Sequence, residues 1–303
     1  MWVTSSVDTI LQPTRVALGN FDGVHLGHQA VLQNIFAQKG SGYPTVVSFH
    51  PHPQVFFSGQ PKPLLTVLEE KVRVLETLGV QQLVLLPFDQ ALADLTPEAF
   101  VEKVLVQHLN AQSISVGFNF CFGRQRSGTA ADLQAIAATF GIPVQVVAPK
   151  TWNGEQVSSS EIRQALETGA VERANRLLGR PYPLSGIVEK GQQLGRTLGF
   201  PTANLKVSPD KFIPRRGVYR VQIEGAAIAQ PQQAVMNIGC RPTVNGQQET
   251  IEVHLLDWSG DLYGHTVTVQ LEQFLRPEQK FESLDALKAQ IERDCQAARS
   301  QVT

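Results

Sequence analysis

The sequence predicts a chain of two differently built parts: an α/β unit around a parallel sheet, then an all-β barrel that ends in a helix. Three observations carry this. In the first half, short apolar runs alternate with segments whose apolar residues recur at helical spacing, the pattern of βαβ units. Beyond about residue 180 the alternation gives way to period-two runs separated by Gly, Asn and Pro. Between the halves, Arg180-Pro181-Tyr182-Pro183 carries two prolines that stop a helical stretch. The domain boundary is placed there, giving domains of residues 1–182 and 183–303, each long enough for its own core.

The predicted strands of the first part are 15–18, 45–49, 83–86, 113–116 and 143–147, with helices over 27–38, 68–78, 97–109 and 130–140. Over 68–78 the apolar residues Leu68, Val72, Leu75 and Leu78 mark one helical face. Thr96 is placed to cap the next helix, with Pro97 in its first turn. A helical stretch over 161–178 is divided by Gly169. In the second part, strands are expected at 217–223, 250–256 and 265–274, forming a small antiparallel barrel or sandwich. Ser283 then caps a last helix whose Leu284, Leu287 and Ile291 form a stripe expected to dock on the barrel.

Composition narrows the function. Hydrophobic residues make up 42% and charged residues 17%, as in a folded domain rather than a disordered one. The formal net charge of −1 provides no basic field for nucleic acid, so no nucleic-acid partner is expected. No apolar run approaches the roughly 20 residues that a membrane-crossing helix needs. Cys121, Cys240 and Cys295 are far apart and show no zinc spacing. With no secretory pattern over residues 1–15, a cytoplasmic protein is expected. The sequence leaves the oligomeric state open, a homo-oligomer included.

Two segments suit phosphate chemistry. The first is Gly19-Asn20-Phe21-Asp22-Gly23-Val24-His25-Leu26-Gly27-His28, between the first strand and first helix. That places it at the carboxyl edge of a parallel sheet, where open α/β folds bind ligands. Gly19 and Gly23 allow close approach of backbone to a nucleotide. His25 and His28, three residues apart, can point at one anion; a metal half-site and ordinary loop polarity are the alternatives. No Gly-Lys-Ser/Thr follows, so this is not a P-loop. Farther on, Ser158-Ser159-Ser160-Glu161-Ile162-Arg163 sets hydroxyls and a guanidinium at a helix start, as an anion cradle or as a plain cap.

The second segment lies in the β part. Gly191, Gly195 and Gly199 recur every four residues, marking bulged strands or a backbone that accepts phosphate. Thr202 and Asn204 follow, two neutral oxygen donors on one side of an extended chain, which suits Mg²⁺ that keeps several waters. Glu252 shares a strand face with His254, either as a solvated glutamate or as a general base.

The first motif with the later Ser-Ser-Ser-Glu-Ile-Arg resembles the nucleotidylyltransferase superfamily, in the form of the FAD synthetase module of prokaryotic bifunctional riboflavin kinase/FAD synthetases. Residues 191–204, Asn237-Ile238-Gly239, 251–257 and Asp261-Leu262-Tyr263-Gly264 resemble the riboflavin kinase module, in the same order. The resemblance implies a Rossmann-like first domain that adenylylates FMN with ATP, and a barrel that phosphorylates riboflavin. It implies ATP-phosphate contacts for Gly19, Phe21, Asp22, Gly23, His25, His28, Ser159 and Arg163 in the first domain. In the second it implies Gly191, Gly195 and Gly199 around the nucleotide, Thr202 and Asn204 for Mg-ATP, and Glu252 as base on the ribityl hydroxyl. Asn119, in a loop that resembles the family's flavin-side segment, and Arg276, in a flap-like turn, are implied flavin contacts. Cys121 stands where the family often has arginine, and His50 where it is often acidic; His52 is retained as a weak candidate. Those departures keep open a riboflavin kinase with a degenerate transferase domain; a non-enzymatic flavin sensor that retains the pockets is the other reading.

Overall fold

The computed structural model describes residues 1–37, 42–191, 199–243 and 246–300, with the backbone alone considered at 241–243 and 246–248. The chain divides into two compact units, Met1–Ser159 and Ser160–Thr303.

The first unit is built on β1 (Trp2–Thr4), β2 (Thr14–Leu18), β3 (Tyr43–His50), β4 (Gln82–Pro87) and β5 (Ala111–Gly117). A short hairpin, β6 (Cys121–Phe122) with β7 (Gly128–Thr129), precedes the last strand of the sheet, β8 (Val144–Val147). A second hairpin follows, β9 (Thr151–Trp152) with β10 (Glu155–Gln156). The sheet order is β1-β4-β3-β2-β5-β8, and every pairing in it is parallel. β1 was not expected; three residues are too few to show a period.

Helix α1 (Leu26–Ala37) follows β2, and α2 (Pro53–Ser58) and α3 (Leu68–Thr77) link β3 to β4. Then come α4 (Gln90–Ala93), α5 (Pro97–Phe100) and, before β8, α6 (Ala130–Thr139). Alternation along β2 divides the core: Val16 and Leu18 join one apolar cluster with Ile114 and Leu133. Ala17 joins the other with Leu32, Ile35 and Leu75. The sheet is therefore covered on both faces, as its nearly continuous apolar strands require.

Two expectations need correction. The stretch 97–109 is not one α-helix: Thr96 caps α5 through its Oγ1, but Val101–His108 winds as a π-helix. There Leu109 N–H reaches five residues back to Val104 O at 3.0 Å. Val101, Val104 and Leu105 are buried on this helix. On α3 the face marked by Leu68 is wrong in part. Leu68 is 45% exposed, whereas Glu70 and Lys71 are buried beside Leu75. Periodicity reads apolar faces only, so charged side chains that find polar partners inside escape it.

Helix α7 (Ser159–Thr168) starts on the last residue of the first unit, and α8 (Val171–Leu178) follows in the second; Gly169 separates them in the left-handed region at φ 83°. The barrel of the second unit comprises β11 (Tyr182–Glu189), β12 (Ala203–Val207), β13 (Gly217–Gly225), β14 (Gln232–Thr243), β15 (Gly246–Leu255) and β16 (Thr266–Arg276). These close in the order β11-β12-β15-β14-β13-β16, all antiparallel. Closure removes the sheet edges that would otherwise need covering. Asn175 pins α8 to the barrel: its Nδ2 donates to Leu271 O at 2.7 Å and its Oδ1 accepts from Tyr182 N at 2.8 Å.

The C-terminal helix α9 (Leu284–Arg299) is capped by Ser283, whose Oγ accepts from Ala286 N at 3.1 Å. It packs on the outer barrel face through Ile291, Cys295 and Ala298 against Val218, Val235 and Leu256. Leu284, at 69% exposure, lies outside that contact: it shares the face of Ile291 and Ala298, but only the C-terminal half of the helix packs there.

Gly217 sits at φ 149°, and a Cβ there would lie 2.5 Å from Arg276 O across the β13–β16 ladder. Gly217→Ala is expected to destabilise the barrel by about 1–3 kcal/mol, read as a lower urea midpoint at unchanged slope.

Candidate active sites

The first site lies at the carboxyl end of β2, where β3 and β5 flank it and the chain leaves in opposite directions. The loop that follows is unusual backbone. Phe21 and Val24 have φ 49° and 42°, and Gly23 has φ 91°. A β-branched residue in the left-handed region is an outlier that its surroundings must hold in place.

The two histidines end this loop. Their rings stack with centroids 3.6 Å apart and an interplanar angle of 17°. His28 N–H donates to His25 Nδ1 at 3.2 Å, so His25, which is buried, carries its proton on Nε2. The close fit explains Gly27: a Cβ there would lie 3.1 Å from the His25 ring. Phe21 is buried beneath, 5.2 Å from the His28 ring. Asp22 is buried too, and its Oδ1 accepts from Thr66 N at 3.2 Å. Ser159 Oγ, at the end of the first unit, donates to Asp22 O at 2.8 Å. Asn20 Oδ1 is buried with no hydrogen-bond partner among the described residues.

Other residues gather at the same sheet edge. Asn119 is exposed just past β5, next to Phe118 at 45% exposure. Past the ends of β3 and β4, Phe56, Phe57 and Phe88 meet edge to face at 5.2–5.7 Å, with Phe49 behind Phe88 at 5.8 Å. Phe57 is 68% exposed. Sequence reasoning missed this aromatic wall, because Phe88 lies far along the chain from the other two. His52 has a structural duty: its Nδ1 accepts from Gln54 N at 3.0 Å and caps α2. Cys121 is a half-buried free thiol in β6.

The second site is a row of polar side chains across the barrel wall. Asn204 pairs with Glu252, Glu252 pairs with Asn237, and Asn204 pairs on its other side with Glu189. Directly opposed residues share a face. Their strand neighbours Val253 and Met236 are buried in the barrel, so the row faces outward. Glu252 and Asn204 are half-buried, as is Thr202 just before β12.

Glycines shape the surroundings. A Cβ on Gly191 would fall 2.2 Å from Asn204 Nδ2, so this glycine makes room for the Asn204 carboxamide. A Cβ on Gly239 would meet Glu278 Oε1 at 2.6 Å and Asn237 Nδ2 at 3.1 Å. Asn237, through its register with Glu252, and Glu278, in the turn past β16 beside Gly239, thus stand near this row, placements that sequence spacing does not reveal. Gly199 takes φ 90° with open space around it, and Gly195 lies outside the described residues.

Two arginines are already engaged. Arg276 forms a bidentate pair with buried Asp294 on α9, with Nη2 to Oδ2 at 2.7 Å and Nε to Oδ1 at 3.0 Å. Its guanidinium also lies 5.9 Å from the Phe281 ring. Arg163, on α7, sits over the Phe212 ring at 5.8 Å.

Residues 7–161 match a family model described as FAD synthetase, and residues 178–302 one described as riboflavin kinase. The bifunctional riboflavin kinase/FMN adenylyltransferase of Haemophilus influenzae is 38% identical over 97% of this chain and 96% of its own. The Escherichia coli K12 protein of the same name is 41% identical over 94% of this chain and 91% of its own. The chain belongs to the bifunctional riboflavin kinase/FMN adenylyltransferase family. A crystal structure from Streptococcus pneumoniae, described as a macrolide-efflux protein, is 32% identical with a TM-score of 0.88, covering 99% of this chain and 98% of that one. Among the described residues no helix is long and apolar enough to cross a membrane. The fold agrees with the family on both counts, a parallel α/β sheet followed by a closed barrel and a terminal helix.

Proposed function

We propose that this chain makes FMN from riboflavin and ATP in its barrel, and FAD from FMN and ATP in its α/β part. The observation that carries this reading is the full-length likeness to bifunctional relatives, with a polar constellation standing in each matched half. Residues 1–182 are assigned to adenylyl transfer and 183–303 to phosphorylation. Three free cysteines and ATP-dependent chemistry favour a cytoplasmic location.

In the barrel, Glu252 accepts the proton of riboflavin's terminal hydroxyl. The hydroxyl oxygen then bonds to the γ-phosphorus of ATP as the β–γ bridging bond breaks and ADP leaves. A positioned base is worth roughly 10²–10⁴-fold. Thr202 and Asn204 fit Mg²⁺: both offer neutral hard oxygens, and the Gly191 cradle holds the Asn204 amide beside Glu252. Bound there with ATP, the ion would neutralise phosphate charge. Gly191→Ala pushes on the mobile end of the Asn204 side chain. It is therefore expected to lower kcat/KM for FMN formation about tenfold with little loss of stability, measured by steady-state kinetics beside thermal melting.

In the α/β part, a phosphate oxygen of FMN attacks the α-phosphorus of ATP, the bond to the β-phosphate oxygen breaks, and pyrophosphate leaves. His25 Nε2–H and His28 donate to the charge that develops, in a setting of fixed donors. Asn20 Oδ1 offers a preformed acceptor to the nucleotide. Phe56, Phe57 and Phe88 supply a flat apolar wall for the isoalloxazine ring, with Asn119 at its rim. Arg276, held by Asp294, lines the flavin side of the barrel site.

The test is incubation of the protein with riboflavin, ATP and Mg²⁺, with flavins separated by chromatography. FMN followed by FAD supports both activities. FMN alone leaves a kinase with a degenerate transferase part, and unchanged riboflavin points to a sensor.

A further inference from the structure

The buried charge on α3 takes no part in the mechanism above. Lys71 is 9% exposed, and its Nζ donates to Asn20 O at 2.9 Å. Ser48 Oγ, at the end of β3, donates to the same oxygen at 3.2 Å. Asn20 opens the segment in which Phe21, Gly23 and Val24 all take positive φ. The rest of that segment is held from its sides, by Thr66 N on Asp22 Oδ1 at 3.2 Å and by Gln29 Nε2 on Val24 O at 3.0 Å. An ammonium buried this deeply is costly unless it is well partnered. A leucine or methionine would fill the same space in the apolar layer of Leu75 and Leu83 at lower cost. What the apolar residue could not supply is a charged donor to a carbonyl of a strained loop.

We propose that Lys71 is a positioning residue for adenylyl transfer: its ammonium, with Ser48, holds Asn20 and so fixes the strained loop that carries His25 and His28. Burial lowers the pKa of Lys71, and the nearby carboxylate of Asp22 offsets only part of that; the geometry at Asn20 O carries the assignment. The assignment rests on the reading of the first site as the FMN-adenylylating one.

The test uses the full chain and supplies FMN and ATP directly, with kcat expressed per FMN-binding site. Lys71→Met keeps the side-chain length and removes the donor. Its kcat for FAD formation is expected to fall about ten- to a hundredfold, the scale of small misplacements at a reacting centre. KM for FMN should stay within about twofold, and riboflavin phosphorylation by the barrel in the same sample should be unchanged. Ser48→Ala should lower the same kcat by less, and the double variant should lose less than the product of the two effects, because both donors act on one oxygen. Wild-type kcat in Lys71→Met overturns the proposal. So does a loss accounted for wholly by fewer FMN-binding sites at unchanged kcat, the mark of a merely structural lysine. If Lys71→Met does not fold, Ser48→Ala decides: an unchanged kcat overturns the proposal and a lowered one with retained KM supports it. Failure of the unsubstituted protein to convert FMN to FAD would instead overturn the adenylylation reading itself.

Discussion

Glu252→Gln is expected to reduce FMN formation by about 10²–10⁴-fold while leaving conversion of supplied FMN to FAD within twofold. The carboxamide preserves the size of the side chain and its place opposite Asn204 and Asn237. What it loses is the ability to take a proton from the ribityl hydroxyl. The loss should therefore fall on kcat, with the KM values for riboflavin and ATP little changed. A solvated strand glutamate would show no such effect. Steady-state assays begun separately from riboflavin and from FMN read both halves, and near-normal FMN formation would return Glu252 to that role.

His28→Ala should give the opposite pattern. It removes one imidazole of the stacked pair, whereas the residue 28 N–H that orients His25 Nδ1 belongs to the backbone and remains. Losing one fixed donor at a developing charge costs about 10²–10³-fold in similar sites. FAD formation from FMN is expected to fall by that factor, with riboflavin phosphorylation unaffected. Assays of the two half-reactions on one preparation make the comparison internal. Equal loss of both would mean that the substitution acts through folding rather than through the first site.

Much of this was legible in the chain. The switch from helical to period-two spacing near residue 180 marks a real change of architecture, since β11 begins the barrel at Tyr182. Gly169 divides two helices as expected. That His25 and His28 stand together was readable because both lie on one short segment. What remained hidden is non-local. Asn237 and Glu278 reach the second site through strand register and a turn, and no spacing rule connects them to Glu252. Phe88 joins Phe56 and Phe57 only after β3 and β4 pair. Glu70 and Lys71 were missed because burial of charge contradicts the pattern from which helix faces are read. The π-helix at Val101–His108 escaped because its apolar spacing differs little from that of an α-helix over two turns. Gly191 was readable as a special position, but its reason, the Asn204 carboxamide, needed the three-dimensional contact.

The most direct test of two separate sites in one chain is to mix Glu252→Gln with His28→Ala and supply riboflavin, ATP and Mg²⁺. FAD is expected in the mixture and in neither variant alone, because FMN made by the His28→Ala barrel serves the intact α/β site of the other molecule. A mixture that makes no FAD, while each variant still performs its retained half-reaction, would contradict two sites that work independently.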